Sequence, residues 1–301
     1  MSTSLQPKFK VAICGGGIVG LTLGVALSRY PDIEIAVYEA AASFKEVGAG
    51  VMIWGRTWRV LTLLGLQTSL RELAGVPTDG SGDRPFRYEY RRSDGGPDGH
   101  RIHQLNLPYK SHLYHRAHFL DIFIDRLPKY AANLGKRLQR YSQVETGPIK
   151  LTFTDGSKAT CDVLVGCDGI KSVVRRLMCQ EMAEKGQPEM LKYIEPVWTG
   201  EVTYRALIPA SRLPEKNGET HPALQETKIH CIAYPIAAGK IINFGAVVTK
   251  PEAEGTIYDG PWVTESTAKE MAQDFAGWES HVQELIEVGI QQTRKPLRNG
   301  L

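Results

Sequence analysis

The chain has 301 residues, with 42% hydrophobic and 23% charged side chains, which suits a globular protein of about two domains. A formal net charge of +3 gives nucleic-acid binding no support, so no nucleic-acid partner is expected. The five cysteines (Cys14, Cys161, Cys167, Cys179, Cys231) form no C-x-x-C pair and no metal spacing, and read as reduced core thiols of a cytoplasmic protein.

Residues 9–14 (FKVAIC) read as a short buried strand and residues 18–30 as a helix packed on the sheet. Residues 33–38 (IEIAVY) form a second strand that delivers Glu39 at its end. Between the first strand and the helix, Gly15 makes a tight turn and Gly17 lets backbone approach a pyrophosphate. Gly20 then allows close helix–strand packing. The helix N-terminus offers N–H groups and a positive dipole end to phosphates. Glu39, 19 residues after Gly20, can accept hydrogen bonds from ribose hydroxyls, which suits FAD or NAD and disfavours a 2′-phosphate. Strand, helix, strand and acid in register point to nucleotide binding. Lys8 and Lys10 ahead of residues 11–27 imitate a leader or a membrane span. That run is short, holds five glycines and leads straight into an alternating strand, so no membrane association is expected.

Trp54 and Trp58, near a helix start, read as packing anchors. Residues 79–100 are rich in Gly, Asp and Arg, with a strand-like centre at residues 86–90 lying outside the first core. His112, His115 and His118 stand at every third position, a spacing that splays them over a wide arc around a helix start; no metal site is expected. Residues 116–127 read as a helix stopped by Pro128. Residues 148–165 read as a hairpin through Asp155-Gly156, returning along Ala159, Cys161, Val163 and Val165. The apolar Val163-Leu164-Val165 reads as a strand buried on both faces. It ends in Asp168-Gly169 and opens a helix carrying Arg175, which places a carboxylate and a guanidinium on the crevice of the glycine turn.

Beyond residue 185, residues 197–208, 227–234 and 240–249 read as strands of an antiparallel sheet. A long helix over about 264–288 carries Met271, Phe275, Trp278, Val282 and Leu285 on one core stripe.

These motifs, in this order, resemble those of the FAD-dependent aromatic hydroxylases, flavoprotein monooxygenases of the salicylate-hydroxylase-like kind. The likeness rests on the first glycine motif with Glu39, on Phe44-Lys45-Glu46-Val47-Gly48-Ala49-Gly50, on His115-Arg116-Ala117 and on the block ending in Asp168-Gly169. Thr199-Gly200, Tyr204-Arg205, Tyr234-Pro235-Ile236 and Asn243-Phe244 extend it through the second sheet. His118 departs from it, standing where an aspartate is usual. So does the tail: the family's third segment, Gly-Asp-Ala, has no counterpart near residues 295–301, and the chain reads as truncated.

The resemblance implies an α/β fold, with a Rossmann-like FAD-binding domain of parallel sheet and a smaller antiparallel β-sheet substrate domain with helices. Residues 1–185 would form the first, with 76–112 contributing to the second; residues 186–263 would form the substrate sheet and 264–301 a helix returning towards the FAD domain. It implies an oxidoreductase, an NAD(P)H-dependent monooxygenase in which oxygen adds at the flavin C4a and a small aromatic, salicylate-like substrate is hydroxylated. Cofactor contacts would come from Gly15, Gly17, Gly20, Glu39, Lys45, Ala49, Gly50, Arg116 and Asp168. Arg205 and Tyr234, with His230 beside them, are the substrate candidates. No catalytic acid or base is singled out. The rival readings are a non-catalytic flavoprotein remnant and a nucleotide-dependent dehydrogenase that does not use oxygen.

Overall fold

The computed structural model describes residues 7–44, 50–79, 87–107, 111–143, 146–213, 221, 231–258, 260–266, 268–292 and 297–300. It divides into two compact units, Met1–Val47 with Ala117–Pro196, and Gly48–Arg116 with Val197–Leu301.

The first unit is built on a parallel sheet in the order Val163–Gly166, Phe9–Cys14, Ile33–Tyr38, Ala132–Asn133. In its first strand Val11, Ala12, Ile13 and Cys14 are all buried in succession, the continuous apolar run of a strand covered on both faces. The helix Ile18–Leu27 follows and ends earlier than its sequence pattern suggests, with Ser28 as its C-cap donating the last helical bond to the Gly24 carbonyl. A three-stranded antiparallel sheet, Leu138–Ser142, Ile149–Phe153 and Lys158–Cys161, lies beside it. The two sheets share a core in which the Tyr38 and Phe153 rings meet at 4.7 Å.

The hairpin through Asp155-Gly156 forms, but its return does not continue through Val165. It stops at Cys161, and Val163–Gly166 joins the parallel sheet instead. Asp162 makes the change of direction: its carboxylate accepts the Lys10 N–H at 2.7 Å and its own N–H donates to the Lys10 carbonyl at 2.9 Å. Val163–Gly166 is the last strand of its sheet, so Val163 is 43% exposed rather than buried on both faces.

The second unit holds an antiparallel sheet in the order Cys231–Ile236, Ile241–Thr249, Glu201–Pro209, Leu297–Gly300, Val263–Glu265. Period-two alternation sends Tyr204, Ala206, Ile208, Ala233, Ile242, Phe244 and Ala246 into one core with Met271, Phe275, Val282 and Leu285. The expected long helix is two helices, Ala268–Asp274 and Ser280–Gln292, because Gly277 takes a φ of 79° between them. Its apolar stripe is core all the same. Two hairpin-like pairs complete this unit: Gly50–Ile53 with His112–His115, and Arg87–Arg92 with His100–Asn106. The fully buried Glu279 receives the Arg91 Nε–H at 3.0 Å. Among the described residues no helix is long and apolar enough to cross a membrane.

Candidate functional site

In the first unit three loops meet at the carboxyl ends of parallel strands, where open α/β sheets bind ligands. Gly15 leaves the first strand with a φ of 110°, held by its N–H on the Tyr38 carbonyl at 2.8 Å. A Cβ there would overlap the Cys167 carbonyl, and one on Gly20 would overlap the Gly15 carbonyl. Both positions therefore require glycine, as the nucleotide motif predicts. Gly17 is the N-cap of the helix Ile18–Leu27, in an extended conformation that many residues can adopt; its place at the helix N-terminus is the relevant feature.

Glu39 is fixed at the end of the second strand by its N–H on the Asn133 carbonyl at 2.9 Å and by the Lys136 N–H on its own carbonyl at 2.7 Å. Its side chain turns back to the glycine turn. Oε2 accepts the Gly16 N–H at 2.7 Å and Oε1 the Ala41 N–H at 2.8 Å. Each carboxylate oxygen has two lone pairs, so capacity remains for ribose hydroxyls. Gly16, which sequence reasoning passed over, matters here: a Cβ would press on the Phe44 ring and on Glu39. The signal was present, three glycines in a row, but the motif assigns a task to only two of them.

Asp168 abuts Gly15 through its backbone, while its side chain serves its own helix. Oδ1 accepts the Ser172 hydroxyl at 2.5 Å, and Oδ2 accepts the N–H groups of Val173 and Val174 at 2.7 and 3.2 Å. A carboxylate at the positive end of the helix Val173–Glu184 is a favourable cap. Arg175 likewise turns to the carbonyls of Ile170 and Ile194. The carboxylate and the guanidinium expected to face the glycine crevice are thus both drawn into local fastenings. Cys14, between these loops, is a thiol pushed up to about 12, mainly by burial and then by the Asp168 charge.

In the second unit Gly50 pairs with His115, next to Arg116 at the first position of the helix Arg116–Arg126. The Gly50 N–H donates to Asn243 Oδ1 at 2.6 Å. A Cβ on Gly50 would lie 2.7 Å from the Asn243 side chain and from the Tyr234 ring and hydroxyl. Tyr234 and Asn243 are register partners, as are Arg205 and Gly245, so alternation puts Tyr234, Asn243 and Arg205 on the sheet face opposite the helix-covered core. Burial raises the Tyr234 phenol and the nearby Arg205 guanidinium partly offsets it. Tyr88, whose hydroxyl contacts Met52 Sδ at 3.0 Å, is pushed up to about 12 by burial and then by Tyr234. The structure thus brings together Gly50, Tyr234 and Asn243, with Arg205 on the same sheet face near Tyr234. Lys45, Ala49 and His230 lie outside the described residues.

Trp54 stacks on Tyr88 at 5.8 Å and Trp58 on His112 at 4.0 Å, the packing role expected of them. His112 and His115 alternate along one strand and His118 is exposed on the next helix, so the three do not converge.

A cradle that only glycine fits, a helix N-terminus and a strand-end carboxylate suit the adenosine diphosphate half of FAD. A sequence model of the family described as FAD binding domain matches residues 8–194. The salicylate hydroxylase of Pseudomonas putida is 30% identical over 285 residues, covering 91% of this chain and 62% of that protein. The 6-methylsalicylate 1-monooxygenase atA of Aspergillus terreus is 30% identical over 302 residues, covering 95% of this chain and 64% of its own length. The chain therefore spans less than two thirds of these curated relatives. A solved salicylate hydroxylase substrate complex superimposes with a TM-score of 0.76 at 25% identity, covering 98% of this chain and 68% of that one. With the family model matching more than half of its residues, the chain belongs to the FAD binding domain family.

Proposed function

We propose that this chain works as an NAD(P)H-dependent monooxygenase that hydroxylates a small aromatic acid of the salicylate type. The observation that carries the reading is the turn at Gly15, closed against Cys167 with Glu39 aimed into it, in a chain whose relatives include salicylate hydroxylases. Bound FAD would supply the redox chemistry, taking electrons from NAD(P)H and activating dioxygen. Gly17 would bring backbone up to its pyrophosphate on the turn that Gly15 and Gly20 make possible, and Glu39 would accept its ribose hydroxyls. Lys45, Ala49, Gly50, Arg116 and Asp168 are the further cofactor contacts that the resemblance nominates. For Asp168 the support is its backbone beside Gly15, since its side chain caps a helix. Arg205 would pair with the substrate carboxylate through its forked guanidinium, and Tyr234 would pack against the ring.

The test is the purified full chain with salicylate, NADH or NADPH and oxygen. Bound flavin, with catechol-type product formed in proportion to NAD(P)H consumed, is the expected result. Flavin reduction without oxygen incorporation would transfer the protein to the dehydrogenases. A chain that takes up no flavin on reconstitution would be a remnant. Glu39→Ala should lower flavin retention about tenfold, roughly the worth of one lost hydrogen bond to a charged group; unchanged flavin content would remove Glu39 from the ribose site.

A further inference from the structure

We infer that the second unit carries a site for a divalent transition metal, of which zinc fits best, formed by His221, His281 and Glu284. One ligand atom from each of the three lies within 4.8 Å of the other two. His281 and Glu284 stand one turn apart on the helix Ser280–Gln292, on one face of it. His221 comes from a distant part of the chain and is almost wholly buried, its side chain 2% exposed.

The three donor atoms stand close enough to converge on a single ion. His221 Nε2 is 3.4 Å and His281 Nδ1 3.7 Å from the same Glu284 oxygen, Oε2. A charge-assisted hydrogen bond between imidazolium and carboxylate closes to about 2.7–2.9 Å. Four ligands held tetrahedrally at ~2.0–2.1 Å from zinc stand about 3.3–3.4 Å from one another. The two imidazole rings meet edge to face, with centroids 5.3 Å apart.

Two imidazole nitrogens and one carboxylate oxygen are the donors of a zinc site with one open position, or of other first-row metals. Calcium and magnesium, which require oxygen donors, are disfavoured. The platform is already rigid before metal enters. Ser280 donates from its N–H and its hydroxyl to the Pro97 carbonyl at 2.9 and 3.0 Å, and Glu279 is ion-paired with Arg91. Metal here would tie His221 to that helix. The inference is independent of the flavin reading.

The untagged full chain is titrated with zinc chloride by calorimetry, and its metal content is measured after gel filtration. We expect one zinc per chain bound at micromolar or tighter affinity, and a thermal midpoint raised by roughly 5 °C with zinc in excess. Glu284→Gln and His281→Gln, near-isosteric changes, should each weaken binding at least tenfold and abolish that rise. Cobalt in wild-type protein should give the intense ligand-field bands of a four-coordinate site, a reading that needs no variant. No retained zinc and no cobalt bands would overturn the site, and so would variants that bind zinc as tightly as wild type.

Discussion

The glycine turn of the first unit and the sheet face of the second both depend on a glycine that lets neighbours come close, yet they are assembled in opposite ways. Gly15 is closed by its own backbone conformation and by the carbonyl of Cys167, a fixed wall. Gly50 meets the ends of two side chains, Asn243 and Tyr234, which can shift. The geometry of the turn is thus specified by backbone, whereas that of the sheet face is set by side chains that can be exchanged without remaking the fold. Under the proposed function, the fixed turn would serve the cofactor, and the adjustable face, with Tyr234 and Arg205, the substrate.

Gly15→Ala should break the comparison hardest. It forces a side chain into a positive φ and into a carbonyl, costing about 3 kcal/mol or more, with loss of bound flavin. All five tryptophans (Trp54, Trp58, Trp198, Trp262, Trp278) belong to the second unit. Circular dichroism should therefore show an early transition in this variant that tryptophan fluorescence does not follow. If fluorescence falls in step, the two units unfold as one and the contrast is thermodynamically empty.

Gly50→Ala should do the converse at smaller size. Displacing Asn243 and Tyr234 costs about 1–2 kcal/mol, read in the tryptophan transition, with flavin content less affected than turnover. Equal loss of flavin and turnover would show Gly50 to be as deeply part of the cofactor grip as Gly15.

Asp168→Ala sharpens the first unit further. Removing three acceptor contacts from a helix N-terminus should cost about 1–2 kcal/mol, and Asp168→Asn should recover part of it. Unchanged stability with a slowed reduction of flavin by NADH would instead place the carboxylate at the nucleotide.

The mildest effect under working conditions is alkaline. Tyr38 in the first unit and Tyr88 in the second are each pushed up to about 12, by burial above all. A folded-state value above the unfolded one of about 10 means the unfolded chain releases its proton first as pH rises. The stability these phenols contribute is therefore whole below pH ~10 and declines between about 10 and 12. Ultraviolet titration of phenolate in folded protein should show both ionising late; ionisation near pH ~10 without unfolding would mean that neither ring is held dry.

Much of the first unit was legible because its signals are local. The strand at residues 9–14, the turn at Gly15 and Glu39 follow one another within a single short segment, and each glycine's task is stereochemical. The apolar alternation that builds the second sheet was readable too, and so was the core stripe from Met271 to Leu285. Asp168 was correctly located beside the glycine turn, but its side chain was drawn to the nearest backbone donors, the start of its own helix. A sequence pattern does not rank such competing partners.

Sequence alone, then, determined the nucleotide turn, the acid beyond it and the two kinds of sheet, since periodicity and turn chemistry act over a few residues. Tertiary structure alone decided that the strand at Val163 leaves the hairpin for a sheet edge and that Gly50 meets Asn243 and Tyr234. It also decided that His221 meets His281 and Glu284. Those outcomes depend on groups far apart along the chain becoming neighbours in space, where burial and polar satisfaction are settled together rather than residue by residue.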